Sequence, residues 1–342
     1  MKAQRIAFTK VNHAELEPVE RICTPDGVMV KTEISTISCG TEKANITGNE
    51  NVNASGAASV VFPRYSGYSS SGIVIETGSD VKDIKVGDRV VCYWGNHSDI
   101  NMQPESRIVK IEDENVSFED AAISFIGTFP LAAIRKTRLE IGESALVMGL
   151  GILGQLAVKL LRAAGATPII AADPVEGRRE EALKYGADYA FDPTAPDFAE
   201  KVKEVTGGGV NVAIEVSGVG AGLDGALDCM KRFGRVALLG CTRDKNFTID
   251  YYRKVHGPGI SLIGAHTIAR PDFESHPGYF THNDDIKAIL KLCATGRITL
   301  ADMVSKTFSP NECTEVYNEL ITNKNFPTIA QFDWSKFSQE DK

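Results

Sequence analysis

The sequence lacks most features that mark membrane-spanning, exported or fibrous proteins. Its 342 residues contain no run near the roughly 20 apolar residues that a membrane-spanning helix needs. Residues 1–9 have no apolar stretch of signal-peptide length, and no internal repeat or tract of biased composition follows. We therefore expect a globular, cytoplasmic protein with no membrane partner.

Basic runs are also missing. The 37 Lys and Arg residues are scattered among 45 Asp and Glu residues, and the net charge is -8. A phosphate backbone or an anionic membrane surface attracts clustered positive charge, which this chain does not offer. We therefore expect no nucleic acid partner.

The seven cysteines are an odd number and include no CxxC pair. This spacing is typical of free thiols in a reducing compartment rather than of a disulfide framework. It also argues against a structural zinc site built from four closely spaced cysteines.

The first part of the chain, from Arg5 to about Lys110, consists of short alternating segments separated by Gly, Pro, Asn and Asp. Val28–Ile34, Ser71–Glu76 and Arg89–Tyr93 are examples. Alternation with a period of two is typical of strands with one buried face. This part is therefore predicted to form a compact, mostly antiparallel β domain.

Farther along, short apolar strands alternate with helical segments. Strand Ala145–Met148 is followed by helix Leu153–Ala164 and strand Pro168–Ala172. This order predicts βαβ units around a parallel sheet, which is an α/β doubly wound fold. The late strands Met303–Phe308 and Thr328–Phe332 are expected to rejoin the first domain.

The segment GLGILG places Gly149, Gly151 and Gly154 directly after a predicted strand and directly before a predicted helix. In that context the three glycines allow a tight turn, close approach of a pyrophosphate and close packing of the helix on the sheet. The helix N-terminus also offers unpaired N–H groups to phosphates. We interpret the segment as a dinucleotide-binding loop; an incidental glycine-rich turn is the alternative.

Asp173 ends the next strand, 19 residues beyond Gly154. Its carboxylate can accept hydrogen bonds from both ribose hydroxyls and would repel a 2′-phosphate, which favours NAD over NADP as the cofactor. Arg178 and Arg179 leave the opposite preference open, because a nearby Arg can accommodate a 2′-phosphate. The predicted coenzyme-binding residues are Gly149, Gly151, Ile152, Leu153, Gly154, Asp173, Arg178, Ser217, Gly240 and Ala265.

Three short motifs lie at characteristic places along the chain. Ser38–Glu42 reads SCGTE, Val86–Val90 reads VGDRV, and Ile141–Glu143 reads IGE shortly before GLGILG. Together they resemble the CGTD, GDRV and PGD elements of the medium-chain dehydrogenase/reductase superfamily, which includes the zinc-type alcohol dehydrogenases. The resemblance covers nearly the whole chain. It implies a GroES-like β-barrel catalytic domain of residues 1–125 and 266–342, a Rossmann NAD-binding domain of residues 126–265, and a homodimer or homotetramer.

Zinc enzymes of this family bind the catalytic metal through a Cys, a His in a GHE element and a further Cys or carboxylate. Cys39 matches the first ligand, but residues 67–69 read GYS and residues 124–125 read SF. One thiolate cannot hold zinc tightly, so we expect no metal. An unusual site that recruits His97 or Asp99 is the alternative.

Without zinc, side chains must handle the proton that accompanies hydride transfer. Thr41 aligns with a family hydroxyl that touches the substrate oxygen, although it could merely turn the chain. His97 follows the GDRV strand in a loop expected to face the substrate, where it could act as the base or be an ordinary surface histidine. Tyr68 takes the place of a lost metal ligand, where it could donate a hydrogen bond or fill the vacated space.

Three further residues of this region are expected to contact the substrate. Trp94 aligns with a pocket-lining aromatic residue of the family, and its indole would pack against a sugar or cyclitol ring. Core filling is the alternative for Trp94. Cys39 is interpreted as a small buried thiol rather than a nucleophile. Thr128 is the third residue expected to contact the substrate.

The segment of residues 264–282 follows the last predicted Rossmann strand and is dense in histidines and aromatic residues. Ligands bind at the carboxyl ends of such strands, so His266 and Arg270 are predicted to contact the substrate. His276 and His282 have no spacing typical of a metal pair. A solvated or dimer-facing loop is the alternative.

The leading interpretation is an NAD-dependent, alcohol dehydrogenase-like oxidoreductase that interconverts a secondary alcohol and a ketone on a polyol-, sugar- or cyclitol-like substrate. Three alternatives stay open: an NAD(P)H-dependent quinone or enone reductase, an alcohol dehydrogenase with an unusual zinc site, and a non-catalytic NADH-sensing protein. Residues 40–42, 67–72 and 92–99 are similar to a subgroup that includes bacteriochlorophyllide hydroxyethyl dehydrogenase-like proteins, which implies little about the substrate.

Overall fold

The computed structural model describes residues 1–49, 60–241 and 246–338. The chain divides into two compact units: Met1–Ile126 with Ile286–Lys342 form the first, and Gly127–Asp285 form the second. Within the described ranges, no helix combines the length and the apolar character that crossing a bilayer requires.

Strands dominate the start of the chain, and strands alternate with helices after that. The first elements are β1 (Lys2–Lys10), β2 (His13–Glu20), β3 (Gly27–Ile37), α1 (Cys39–Ile46), β4 (Arg64–Tyr65), β5 (Ser69–Thr77), β6 (Arg89–Tyr93), β7 (Ile100–Pro104), β8 (Ile108–Lys110) and α2 (Phe118–Lys136). The next are β9 (Ala145–Met148), α3 (Ile152–Ala163), β10 (Ile169–Ala172), α4 (Glu176–Lys184), β11 (Tyr189–Phe191), α5 (Phe198–Thr206), β12 (Val210–Glu215), α6 (Gly220–Asp228), β13 (Met230–Leu238) and β14 (Ser261–Gly264). The last are α7 (His282–Ala294), β15 (Lys306–Phe308), α8 (Cys313–Thr322) and β16 (Ala330–Asp333).

The first unit contains two sheets. The strands β2, β1 and β4 form one, and the other has the order β15-β16-β3-β5-β6-β8, with β7 also paired to β3. Every pair except β15 with β16 is antiparallel. The prediction of a mostly antiparallel β domain is therefore confirmed, and β16 rejoins it beside β3 as expected.

The second unit is built on a six-stranded parallel sheet with the order β11-β10-β9-β12-β13-β14. At its centre, Ala145 pairs with Ile169 on one side and with Val212 on the other. No residue of β9 or β10 is more than 1% exposed, because a parallel strand covered on both faces has no polar side. This sheet confirms the predicted α/β doubly wound fold, and it brings the carboxyl ends of its strands to one edge.

The compact units differ from the predicted domains in one segment. Residues 266–285 group with the second unit, whereas the sequence placed them in the first domain. Arg270 explains the grouping: its guanidinium donates to the backbone carbonyl of Thr128 at 2.8 Å and to the carboxylate of Asp285 at 3.1 Å. Both partners belong to the second unit.

Candidate functional site

The loop between β9 and α3 needs its three glycines for different reasons. Gly149 has a φ of +97°, and a Cβ there would lie 2.8 Å from the backbone nitrogen of Ser217. A Cβ on Gly154 would lie 1.9 Å from the carbonyl oxygen of Gly149, so only glycine lets α3 pack this closely. Gly151 has open space where its Cβ would be. The loop is thus closed on its protein side and open at Gly151, as a phosphate-binding loop requires.

Asp173 ties this loop to the turn after β10. Its carboxylate accepts hydrogen bonds from the backbone nitrogens of Leu150 at 2.8 Å and Val175 at 2.9 Å. The side chain is nearly buried, and one Nη of Arg178 lies 3.6 Å from it. Carboxylate oxygens can accept more than one hydrogen bond each, so Asp173 keeps acceptor capacity for ribose hydroxyls. Arg179 bonds instead to the Asp173 carbonyl oxygen at 2.7 Å.

The other predicted coenzyme residues lie at the same edge of the sheet. Ser217 follows β12 and bonds through its backbone nitrogen and hydroxyl to Glu215, whose pKa is raised by burial. Gly240 follows β13, and a Cβ there would lie 2.7 Å from the backbone nitrogen of Gly218. Ala265 follows β14 and is buried. Ile152 and Leu153 form the first turn of α3.

The donor set around Cys39 does not fit zinc. The Cys39 thiol donates to the carbonyl oxygens of Pro327 at 3.6 Å and Thr328 at 3.8 Å. Tyr68 and Ser69, which replace the family's ligands, bond instead to Ser38 and the Ala122 carbonyl. Among the described residues, no three His, Cys, Asp or Glu side chains are placed to hold a metal ion. A catalytic zinc site requires about three such protein ligands.

His97 does not lie at an exposed position in its loop, as the prediction required. Its imidazole is fully buried, with Nδ1 2.7 Å from the Ser35 hydroxyl and Nε2 3.2 Å from the Glu42 carboxylate. Because a carboxylate can only accept, Nε2 carries the hydrogen of that bond. Both ring nitrogens are therefore occupied within the protein, and the predicted cleft-facing base is wrong in its placement. Asp99, the other residue considered for a metal, accepts a bond from the backbone nitrogen of Gln4.

Sequence reasoning missed Glu42, which organises this interior. The Glu42 carboxylate is fully buried and accepts hydrogen bonds from the Tyr317 hydroxyl at 2.6 Å and the Ser38 backbone nitrogen at 2.8 Å, besides His97. Burial, followed by the charge of Glu42, raises the pKa of Tyr317 well above its usual value. We call these side chains the Glu42 cluster; its members are Ser35, Glu42, His97, Tyr317 and Trp334, whose indole donates to Ser35.

Tyr68, which stands at the position of the family's second metal ligand, packs against two other aromatic rings. The ring of Tyr68 lies 5.6 Å from Trp94 and 5.8 Å from Phe125, and Trp94 and Phe125 are 5.0 Å apart. We call these three residues the aromatic cluster. Tyr68 and Trp94 are only partly buried, and the Tyr68 hydroxyl donates to Ser38 Oγ at 2.5 Å. Thr41 lies exposed on α1.

The predicted substrate residues of the second unit form a network with one another. Thr128 Oγ1 lies 3.0 Å from His282 Nδ1, and the Thr128 carbonyl accepts from Arg270. Arg270 and Arg135 both bond to the buried carboxylate of Asp285, at 3.1 and 2.9 Å. Burial, assisted by the charge of Arg270, lowers the pKa of His282 to about 3, so its ring is neutral near pH 7.

Arg270 and Thr128 have structural roles within this network that need no substrate. Most of the N–H donors of the Arg270 guanidinium already have protein partners. His266 lies at the start of the same segment and is partly buried. Its Nδ1 is 3.4 Å from the backbone nitrogen of Ile268. The contacts of these three residues with a substrate stay predictions.

Two family models match the chain. "Alcohol dehydrogenase GroES-like domain" matches residues 24–134, and "Zinc-binding dehydrogenase" matches residues 153–276. The D-guloside 3-dehydrogenase of Escherichia coli is 29% identical over 205 residues, which cover 59% of this chain and 58% of that protein. The L-threonine 3-dehydrogenase of Pyrococcus horikoshii is 29% identical over 268 residues, which cover 70% of this chain and 75% of that one.

Among solved structures, galactitol-1-phosphate dehydrogenase from Escherichia coli has the same fold. Its TM-score is 0.83 at 18% sequence identity, with 96% of this chain and 99% of that chain covered. The matched region thus extends to nearly the full length of that structure, whereas it spans little more than half of the guloside dehydrogenase.

Proposed function

The chain belongs to the zinc-type medium-chain alcohol dehydrogenase superfamily, and from this we propose that it is an NAD(H)-dependent oxidoreductase that interconverts a secondary alcohol and a ketone. A bound nicotinamide would supply the hydride acceptor or donor. The observation that carries the proposal is the loop at Gly151, open on its outer side and fixed by Asp173 on its inner side. Backbone amides at the start of α3 would hold the pyrophosphate there.

We propose NAD rather than NADP as the coenzyme. Asp173 is held by two backbone N–H groups at the end of β10, so its carboxylate cannot easily swing away from an incoming ribose. A 2′-phosphate would meet this negative charge at close range. Arg178 favours the opposite preference, but it lies 3.6 Å from Asp173 and so already has a carboxylate beside it.

The proposed substrate is a polar polyol, sugar or cyclitol. The aromatic cluster supports this because a partly exposed indole such as Trp94 can pack against the apolar face of a ring whose hydroxyls point elsewhere. The names of two relatives, D-guloside 3-dehydrogenase and L-threonine 3-dehydrogenase, describe oxidation at a carbon that bears a hydroxyl in a polar molecule.

We further propose that the reaction proceeds without zinc, since the Cys39 thiol donates to backbone carbonyls and no three His, Cys, Asp or Glu side chains among the described residues are placed to hold a metal ion. The test is a screen of NAD⁺ and NADP⁺ reduction with polyols, sugars and cyclitols, before and after treatment with a chelator. We expect NAD⁺-dependent activity that survives metal removal.

Three other results of that screen would contradict the proposal. Loss of activity with loss of near-stoichiometric zinc indicates an unusual metal site. NAD(P)H oxidation by quinones or enones, with no alcohol oxidation, indicates a reductase. Tight NADH binding without turnover of any alcohol or ketone indicates a coenzyme-sensing protein.

We propose that the protein forms a homodimer, or a tetramer of such dimers, through the edge of its parallel sheet. β14 is an edge strand, and Leu262 on it and Phe233 nearby in β13 are 38% and 73% exposed. An exposed apolar edge strand is a template for pairing with a second copy. Light scattering is expected to give at least twice the mass of one chain, and a purely monomeric mass would rule out the pairing.

A further inference from the structure

Two hydroxyls, those of Ser38 and Tyr68, form a pair beside the positions that correspond to metal ligands of the family's zinc enzymes. Resting on the proposed function, we infer that Tyr68 transfers the proton to and from the substrate oxygen and that Ser38 positions it. Tyr68 is then a catalytic residue, and Ser38 acts through it. Neither role depends on the base predicted from the sequence, because His97 is fully buried.

The Tyr68–Ser38 hydrogen bond is short, and the two side chains differ in their exposure to solvent. The Tyr68 hydroxyl donates to Ser38 Oγ at 2.5 Å. Tyr68 is partly exposed, whereas Ser38 is only 5% exposed. A substrate oxygen can therefore reach the phenol from the open side, while Ser38 holds it from the interior. A serine hydroxyl that accepts one bond still has a hydrogen of its own to donate.

Ser38 is itself held by the Glu42 cluster. Its backbone nitrogen donates to Glu42 Oε1 at 2.8 Å, and the same carboxylate is fixed by the Tyr317 hydroxyl and by His97. All three of these acidic or basic side chains are buried. The position of Ser38 is thus set by a saturated interior network rather than by a flexible surface turn, as a preorganised catalytic group requires.

The other two rings of the aromatic cluster restrict the phenol. Trp94 and Phe125 both pack against the Tyr68 ring, at centroid distances of 5.6 and 5.8 Å. The Trp94 backbone nitrogen also donates to the Tyr68 carbonyl oxygen at 2.9 Å. The two rings place apolar surface beside the phenol, and in such surroundings a hydrogen bond to a developing oxyanion is stronger than in bulk water.

The proton step balances with the hydride step. In reduction, a bound nicotinamide would supply a hydride to the carbonyl carbon, and the π electron pair of the C=O bond would become a lone pair on oxygen. The Tyr68 hydroxyl turns its hydrogen from Ser38 to the substrate oxygen, which takes the proton as the phenolic O–H bond breaks. Ser38 rotates to donate its hydroxyl hydrogen to the resulting phenolate, and a proton from solvent restores the phenol after the product leaves. Oxidation runs through the same steps in reverse.

The test compares Tyr68→Phe with Tyr65→Phe, each of which removes only a phenolic oxygen. Tyr65 lies in β4, is 37% exposed and is outside the pair. Tyr68→Phe is expected to lower kcat by about 10²- to 10⁴-fold, the usual contribution of a positioned acid or base, with KM and NADH affinity little changed. Tyr65→Phe is expected to keep the kcat of the parent protein.

Ser38 is tested by Ser38→Ala and by Ser38→Thr, which keeps the hydroxyl. Ser38→Ala is expected to lower kcat by roughly 3- to 10-fold, the effect of one hydrogen bond, and Ser38→Thr to restore most of it. The solvent deuterium isotope effect on kcat is expected to rise in Ser38→Ala, because proton transfer then limits turnover more strongly. A merely structural serine would not change that isotope effect.

The outcomes separate the two proposals. If the parent protein oxidises a polyol and a folded Tyr68→Phe variant does so at the same rate, the proton-transfer pair is wrong and the proposed function stands. If the parent protein turns over no alcohol or ketone, the proposed function is wrong, and the pair's role is wrong with it. Thermal unfolding of each variant shows whether a loss of kcat reflects a loss of fold.

Discussion

Gly151→Ala is expected to abolish coenzyme binding while leaving the fold intact. A Cβ at this position meets no atom within 4 Å, and the backbone has a φ of -70°, which alanine adopts freely. The added methyl group would instead occupy the space from which a pyrophosphate approaches the amides of α3. Losing two or more charged hydrogen bonds of about 1.5–3 kcal/mol each should weaken NADH binding by more than about 100-fold.

Gly154→Ala provides the matched control, because it adds the same methyl group three residues later. Its Cβ would lie 1.9 Å from the Gly149 carbonyl oxygen, so α3 must move away from the loop. Overpacking of this kind costs about 1–3 kcal/mol of stability. Calorimetry with NADH and thermal unfolding should show lost affinity at an unchanged melting temperature for Gly151→Ala, and a lowered melting temperature for Gly154→Ala. Normal NADH affinity in Gly151→Ala would show that no coenzyme binds at this loop.

The second unit could be predicted closely because its strands are covered on both faces. Ala145–Met148 was expected as a strand, and the same bounds are found for β9. The expected helix Leu153–Ala164 and strand Pro168–Ala172 agree with α3 and β10 to within one residue at each end. An apolar run of this length between glycines and polar residues has few other structures available in a chain of alternating elements. The glycine loop could be predicted for the same reason, because a GxGxxG segment indicates a dinucleotide-binding loop when it lies between a strand and a helix.

Helix α1 shows where pattern reasoning fails. Its buried residues are Glu42, Ala44 and Ile46, a spacing of two that is not helical, and one of them is charged. No side chain caps its start. The helix is fixed instead by the Glu42 carboxylate, which accepts from the Ser38 backbone nitrogen inside the first unit. A buried carboxylate can be recognised only from its partners.

Those partners are far apart along the chain, which is why the interior role of His97 could not be predicted. His97 is 62 residues from Ser35 and 55 from Glu42, and Tyr317 is 275 residues from Glu42. A histidine after a strand end is equally compatible with a surface loop and with the core when only local sequence is considered. Only one member of the Tyr68–Ser38 pair was predicted as a site residue. Tyr68 stands at the position of a lost metal ligand, whereas Ser38 is 30 residues away and matches no ligand position.

His97→Ala is expected to destabilise the protein severely rather than to remove a catalytic base. The substitution leaves Ser35 and the fully buried Glu42 carboxylate without their imidazole partner. Leaving a buried hydrogen-bonding group without its partner costs about 1–3 kcal/mol, and more when that group is charged, so denaturant unfolding should show a loss of about 3 kcal/mol or more. His13→Ala, at a partly exposed histidine beside Glu15, should change stability little.

A second substitution distinguishes two causes of the expected loss of stability: lost packing around the imidazole and a buried carboxylate left without its partner. If the main cost of His97→Ala is the unpaired carboxylate, then Glu42→Gln should reduce it, because an amide is cheaper to bury than a charge. The double variant His97→Ala with Glu42→Gln is therefore expected to be more stable than the sum of the single effects predicts, with a coupling of about 1–3 kcal/mol. Strict additivity would mean that His97 and Glu42 do not interact, so that His97 does not help to fix the carboxylate to which the Ser38 backbone nitrogen donates.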